Sequence, residues 1–208
     1  MSTVSVVDYG LGNLHSVIKA LHHLGATVTV AEDAATVLAA ERLVVPGVGA
    51  FADGMTGLTN RGQVLALRAV AARGTPIAGI CLGAQLLLAR GEEFGSHTGL
   101  GIVPGTVRMI PRDGVKIPHV GWNRIEPHVS WTGSPLATTA PGTWAYFVHS
   151  YQMMPDDSAD ILAVTKHGTH TLTAAVRHGR VTGFQFHPEK SGPAGLAMLA
   201  AFLAEPTP

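Results

Sequence analysis

Cys81 is the only cysteine in this chain of 208 residues, and its neighbours are not those of a packing residue. It stands between Gly79 and Gly83 in GICLGAQLLL, after the apolar run TPIAGI and before a helical pattern. Strand, sharp turn, helix is the arrangement that lifts a nucleophile above a sheet edge. Glycines on both sides remove side chains where backbone segments must crowd. Cys81 would then sit at a helix start, where unpaired N–H groups and the helix dipole favour negative charge. The Leu82 amide would point at the same place, able to hold an oxyanion. The bland alternative is a small buried residue joining strand to helix.

A nucleophilic thiol needs a base, and the base needs orienting. The stretch GFQFHPEK (183–190) offers both. Phe184 and Phe186 alternate with Gln185, the pattern of a strand with one apolar face. His187 stands at its end, Pro188 stops the ladder, and Glu189 lies two positions on, close enough to curl back to the imidazole. The chain has eleven histidines, so one alone would mean little. His22, His23 and His178 read as solvated helix or turn residues. A third segment, LVVPGVGAF (43–51), leaves a strand and enters a loop carrying Gly47 and Gly49. Such a loop can turn its amides towards a site, or be a plain strand exit.

The elements that must hold these residues follow from periodicity. Strands are expected at 4–9, 26–31, 42–47 and 75–80, with helices at 13–25, 34–40, 63–74 and 84–91. Short apolar strands alternating with helices imply a parallel sheet covered on both faces. The second half turns strand-rich: GTVRMI, GVKIPHVGWNRI, TWAYFVHSYQ, DILAVTKHG, HTLTAAVRHG and RVTGFQFHPEK, with a hairpin turn at Gly179. A helix closes the chain at 192–205. The expected fold class is α/β, a mostly parallel central sheet with flanking helices and additional antiparallel strands in the C-terminal half, formed as a single domain over 1–208.

Composition narrows the function. A hydrophobic share of 46% with 13% charged residues fits a globular protein rather than a disordered one. Fourteen basic and fourteen acidic residues cancel, and no basic run supplies the footprint of a nucleic-acid binder. No apolar run approaches a membrane span, no secretory signal is evident at the N-terminus, and a lone cysteine forms no internal disulfide. The expectation is a cytoplasmic protein with no nucleic acid, membrane or metal partner.

Together, PGVG, G-I-C-L-G-x-Q and F-Q-F-H-P-E-K resemble, in order and separation, the triad class I glutamine amidotransferases, which have a flavodoxin-like fold. YGLGNLHSV, KIPHVGWN (116–123), YFVHSY (146–151) and HPEKS (187–191) look like the glutaminase subunits of imidazole glycerol phosphate synthase in histidine biosynthesis. The resemblance covers almost the whole chain. Ala84 departs from it, standing where the family often has methionine, and a packing change is all that this implies. The resemblance implies a Cys81–His187–Glu189 triad, a glutamyl thioester, and an oxyanion held by the amides of Val48 and Leu82. It implies glutamine binding by Gln85 and Glu93, with the glycine loop of Gly47 and Gly49 and the backbone of Ser150 and Tyr151. It implies no cofactor, and a heterodimer with a (βα)8-barrel cyclase subunit docked on Asn13, Trp122, Tyr146 and Lys190. Gln85 also reads as a polar residue of the elbow helix, and Glu93 as a surface charge. Rival readings are a glutaminase serving another synthase, a cysteine hydrolase of esters or peptides, and a non-enzymatic thiol sensor on a flavodoxin-like scaffold.

Overall fold

Burial dictates the central layer. Thr3–Val7 is buried along all but its first residue, and Leu43–Val45 and Ile77–Ile80 are buried throughout. Strands wet on neither face belong in a parallel sheet between helices. The computed structural model describes residues 2–207; Met1 and Pro208, the two ends of the expected 1–208 span, lie outside the described residues. The strands are β1 (Thr3–Val7), β2 (Thr27–Ala31), β3 (Leu43–Val45), β4 (Ile77–Ile80), β5 (Leu88–Gly91), β6 (His97–Thr98), β7 (Val103–Met109), β8 (His119–Pro127), β9 (Thr143–His149), β10 (Tyr151–Pro155), β11 (Ile161–His167), β12 (His170–His178) and β13 (Val181–Phe184). The helices are α1 (Leu14–His23), α2 (Ala34–Ala39), α3 (Phe51–Asn60), α4 (Gln63–Ala72), α5 (Leu82–Leu86) and α6 (Gly192–Leu203).

The main sheet runs β2-β1-β3-β4-β13-β12-β11-β8-β9. Its first five strands are parallel, in the flavodoxin-type order, and the rest join antiparallel. A second sheet, β10-β7-β5-β6, packs beside it. Two hydrophobic clusters fill the space around the sheet, one carrying Phe51, Leu67 and Leu86, the other Phe147, Phe184 and Phe202.

Three local expectations change. The helix expected at 84–91 stops at Leu86, and Leu88–Gly91 is a strand paired with β7. A run such as LLLAR fits either period when short, and the β7 ladder decides. Phe51–Asn60 is a helix that two glycines hid from the sequence pattern. A Cβ on Gly54 would stand 2.9 Å from Leu86, and one on Gly57 2.2 Å from the Tyr9 carbonyl oxygen, so both glycines are there for close packing. The segment TWAYFVHSYQ is two strands, β9 and β10, in different sheets, broken at Ser150.

Candidate active site

The elbow is built by close approach. A Cβ on Gly79 would lie 2.7 Å from Ala84 Cα, and one on Gly83 1.8 Å from the Val45 carbonyl oxygen. Only glycine lets α5 pack this tightly on β4 and β3, and this explains the two residues flanking the thiol. Cys81 itself has φ 54° and ψ −111°, strain of the kind held at functional sites by the surrounding structure. Its N–H donates to the Phe184 carbonyl at 2.7 Å, the last rung of the parallel β4–β13 ladder.

That ladder brings His187 towards Cys81. Ile80 pairs with Phe184, so the residues after each strand emerge side by side at the carboxyl edge of the sheet. Gln185 Nε2 reaches Cys81 Sγ at 3.9 Å. His187 follows, its N–H donating to the Tyr146 carbonyl at 2.9 Å and its carbonyl accepting from Ser191 Oγ at 2.7 Å. The ring is thus pinned by β9 and by the turn leading into α6. Glu189 Oε1 lies 2.8 Å from His187 Nδ1, with both side chains buried. Nδ1 therefore carries a proton and donates it to the carboxylate. Nε2 has no hydrogen-bond partner among the described residues, which leaves it for proton exchange on the Cys81 side. Burial disfavours the charged ring, but Cys81 and Glu189 outweigh it and push the His187 pKa up to about 9.

The glycine loop approaches from β3. The Leu82 N–H donates to the Gly47 carbonyl at 3.3 Å. In this conformation the carbonyl of the Gly47–Val48 peptide holds the amide that was expected to hold an oxyanion, and Val48 and Leu82 do not present two free donors together. Behind the loop, the Tyr9 hydroxyl donates to the Pro46 carbonyl at 2.7 Å and stands 2.0 Å from where a Gly47 Cβ would be.

A cavity of about 270 Å³ opens over the thiol, lined by Val48, Gly49, Cys81, Leu82, Gln85, Glu93, Ser150 and Tyr151 among others. Gly47 stands behind this lining. Gln85 is buried and donates both amide protons inward, to the Tyr151 carbonyl at 3.1 Å and to Gln185 Oε1 at 3.0 Å, leaving its oxygen free of either bond. Glu93 Oε2 accepts the Phe51 N–H at 2.8 Å, capping α3, which no side chain at Ala50 caps. Among the described residues, no group of three or more His, Cys, Asp or Glu is arranged to hold a metal ion. No helix there is long and apolar enough to cross a membrane.

Residues 5–205 match the family model for glutamine amidotransferase class-I. The chain belongs to the class-I glutamine amidotransferase family. Within it, the chain is 46% identical over 203 residues to imidazole glycerol phosphate synthase subunit HisH of Symbiobacterium thermophilum, covering 96% of this chain and 92% of the relative. The HisH subunit of Moorella thermoacetica is 43% identical over 205 residues, covering 97% and 94%. These relatives set the chain among the HisH subunits. Among solved structures, a glutamine amidotransferase crystal structure superposes with a TM-score of 0.74 at 20% identity, covering 97% of this chain and 98% of that one. The structure of PurLQS from Thermotoga maritima gives 0.73 at 17%, covering 98% of each. At such identities the likeness is one of fold.

In this amidotransferase three of the four residues expected at a docking face gather near His187. Trp122 is 52% exposed and packs edge-on to Tyr146, ring centroids 6.0 Å apart. Tyr146 lies 6.5 Å from the His187 ring, and exposed Lys190 follows Glu189 in the same short turn. Asn13 is exposed and caps α1, its Oδ1 accepting the Ser16 N–H at 3.4 Å. The sequence reading passed over Tyr9, Gln185, His119 and His149. A glutamine between two buried phenylalanines, and histidines inside otherwise apolar strands, are the signals that mark them.

Proposed function

We propose that this chain hydrolyses glutamine to glutamate and ammonia, and works as a single glutaminase domain serving a (βα)8-barrel cyclase subunit in a heterodimer. Cys81 Sγ attacks the carboxamide carbon of glutamine. His187 takes up the thiol proton and returns it to the departing amine, so ammonia leaves and a glutamyl thioester remains. Water, deprotonated by the same imidazole, cleaves the thioester to glutamate and restores the thiol. Glu189 fixes the ring and offsets its positive charge. The observation that carries the reading is the buried His187–Glu189 pair beside a strained Cys81, at the mouth of a cavity sized for one amino acid.

The HisH relatives support the finer assignment. Ammonia released into water would be protonated and lost as a nucleophile, so delivery requires a closed path. The cyclase is proposed to cap the face of Trp122, Tyr146 and Lys190, with Asn13 at its edge, and to use the ammonia to make imidazole glycerol phosphate and aminoimidazole carboxamide ribotide in the cytoplasm. Neither metal nor cofactor enters these steps. The test is glutamate release and glutamine-dependent product formation by the chain with its cyclase. Cys81→Ala should abolish both, while product formation from added ammonium salts persists. Retained glutamine use in Cys81→Ala would remove the nucleophile.

A further inference from the structure

We infer that His149, set in place by His119 and Asn123, is a positioning residue for the glutamine pocket. The inference rests on the glutaminase reading above. Its support is a hydrogen-bond relay that has only one proton arrangement.

The Tyr151 carbonyl can only accept. His149 Nδ1 lies 2.8 Å from it, so Nδ1 carries the ring proton. In the neutral ring Nε2 is then an acceptor, and its partner is His119 Nδ1 at 2.9 Å. His119 therefore also carries its proton on Nδ1, and its Nε2 accepts from Asn123 Nδ2 at 3.3 Å. The second Asn123 N–H donates to the Lys166 carbonyl, and its Oδ1 accepts the Arg124 N–H at 2.9 Å. Reversing any one of these groups would set donor against donor or acceptor against acceptor. Both histidines are buried, and the His119 ring stacks on Phe147 at 4.9 Å. Burial holds both rings neutral, driving the pKa of His119 down to about 4 and that of His149 to about 3.

The relay ends at the substrate. The Tyr151 carbonyl accepts a second bond, from Gln85, and the Ser150 carbonyl accepts the Ile110 N–H at 2.9 Å. Both carbonyls at the β9–β10 break are thereby committed inside the fold. His149, Ser150, Tyr151 and Gln85 all line the cavity. Without the His149 donor, the Tyr151 carbonyl and the Gln85 amide lose their fixed directions, and the wall that receives the main-chain end of glutamine loosens. Cys81 and His187 keep supports that do not depend on the relay: the β4–β13 ladder carries both, and the Tyr146 carbonyl that holds His187 and the Val148 carbonyl that faces the thiol at 3.7 Å are fixed by the β8–β9 ladder. The loss therefore falls on KM rather than on kcat.

The experiment measures glutamine-dependent glutamate release by the chain in complex with the cyclase and the phosphorylated ribulosyl nucleotide proposed as that subunit's ligand. His149→Leu removes the relay. His149→Gln keeps a polar side chain but carries its amide too far out to serve the Tyr151 carbonyl. His149→Asn places an amide N–H near the position of Nδ1. The net worth of one buried hydrogen bond sets the scale, so His149→Leu and His149→Gln should raise KM for glutamine about five- to tenfold with little change in kcat. His149→Asn should restore most of that loss. A merely structural histidine would lower the melting temperature and the active fraction and leave KM alone. Unchanged KM in the folded variants, or an equal rise in all three, overturns the inference. Wild-type complex that releases no glutamate overturns the glutaminase reading, and the inference with it.

Discussion

The Gly47 carbonyl and the Leu82 amide face each other at 3.3 Å. A trans peptide points its N–H opposite to its C=O, so the Val48 N–H is turned away from the thiol. A tetrahedral intermediate formed now would meet neither the Val48 donor nor a free Leu82 amide. A single peptide flip would correct both, and glycine at 47 frees the ψ rotation on its side of that peptide. One missing oxyanion donor is worth about 10²–10³ in rate. The chain alone should therefore release glutamate at least that much more slowly than the complex with cyclase and its nucleotide ligand. Val48→Pro, which deletes the N–H, should flatten the activation while leaving assembly intact. Equal rates for the chain alone, with cyclase, and with cyclase plus ligand would sink the switch.

Tyr9 fixes the near end of that hinge. Its hydroxyl holds the Pro46 carbonyl at 2.7 Å, so the peptide before the flipping one stays put. Tyr9→Phe leaves a buried carbonyl unpaired, at a cost of about 1–3 kcal/mol. For a chain of this size each kcal/mol lowers Tm by about 2–4 °C. Calorimetry should show that drop, together with a smaller activation ratio on adding liganded cyclase. An unshifted Tm with a normal activation ratio would mean that the hydroxyl anchors nothing.

On the proposed mechanism, His187 should give the reaction its alkaline limit. Its pKa is raised to about 9 by Cys81 and Glu189, so at neutral pH a proton passed from the thiol stays on the ring for the leaving ammonia. As pH rises through about 9 that proton is lost, and kcat/KM should fall. Glu189→Gln removes the charge that helps to hold the ring protonated, so the alkaline limb should move to lower pH. The amide can still accept from Nδ1, and so this variant should lose much less rate than His187→Ala, where general acid–base catalysis of roughly 10²–10⁴-fold disappears. A pH–rate profile with the same alkaline limb in wild type and Glu189→Gln would detach Glu189 from His187.

The elements and the three segments of the proposed site were legible because each is written locally. The 3.6-residue and two-residue periods mark α1, α4 and the parallel strands, and a thiol between glycines or a histidine before Pro-Glu marks a strand end. What stayed hidden depends on contacts far apart in the chain. The helix Phe51–Asn60 carries glycines whose partners are Leu86 and Tyr9. Leu88–Gly91 is a strand only because Val103 and its neighbours pair with it. The His119–His149 relay joins residues thirty apart through one cross-strand register, which no single-segment pattern contains.

Cross-strand register also defines the outer face. Val120 stands opposite Val148, Trp122 opposite Tyr146 and Arg124 opposite Trp144, and five of these six are more than a third exposed. An aromatic and aliphatic patch beside His187 suits the proposed docking face. Trp122→Ala should weaken assembly with the cyclase or blunt its activation of the glutaminase, as buried interface aromatics commonly do. Lys190→Ala should act in the same direction through a lost charge. Titration of each variant with the cyclase gives the result, and unchanged affinity with unchanged activation removes both residues from the interface.

The buried relay has a signature in stability as well. His119 and His149 have folded-state pKa values of about 4 and about 3, below the ordinary histidine value near 6.5. As pH falls below about 6.5, the unfolded chain takes up these two protons and the folded chain does not. Stability is therefore present above that pH and lost on acidification, by up to about 1.4 kcal/mol per pH unit for each histidine. His187 works in the opposite sense: its raised pKa stabilises the fold fully below about 6.5, and that contribution fades as pH rises through about 9. Urea unfolding between pH 8 and pH 5 should show the acid loss. The double variant His119→Asn, His149→Asn cannot bind those protons in either state, and its stability should fall less steeply over the same range. Every other titrating group is common to the two proteins, so the difference in slope reports the pair together with its coupling to His167, whose ring lies 4.4 Å from that of His119, and to His187. Identical slopes would show that the two rings titrate alike in the folded and unfolded chains, contrary to a neutral, fully committed relay.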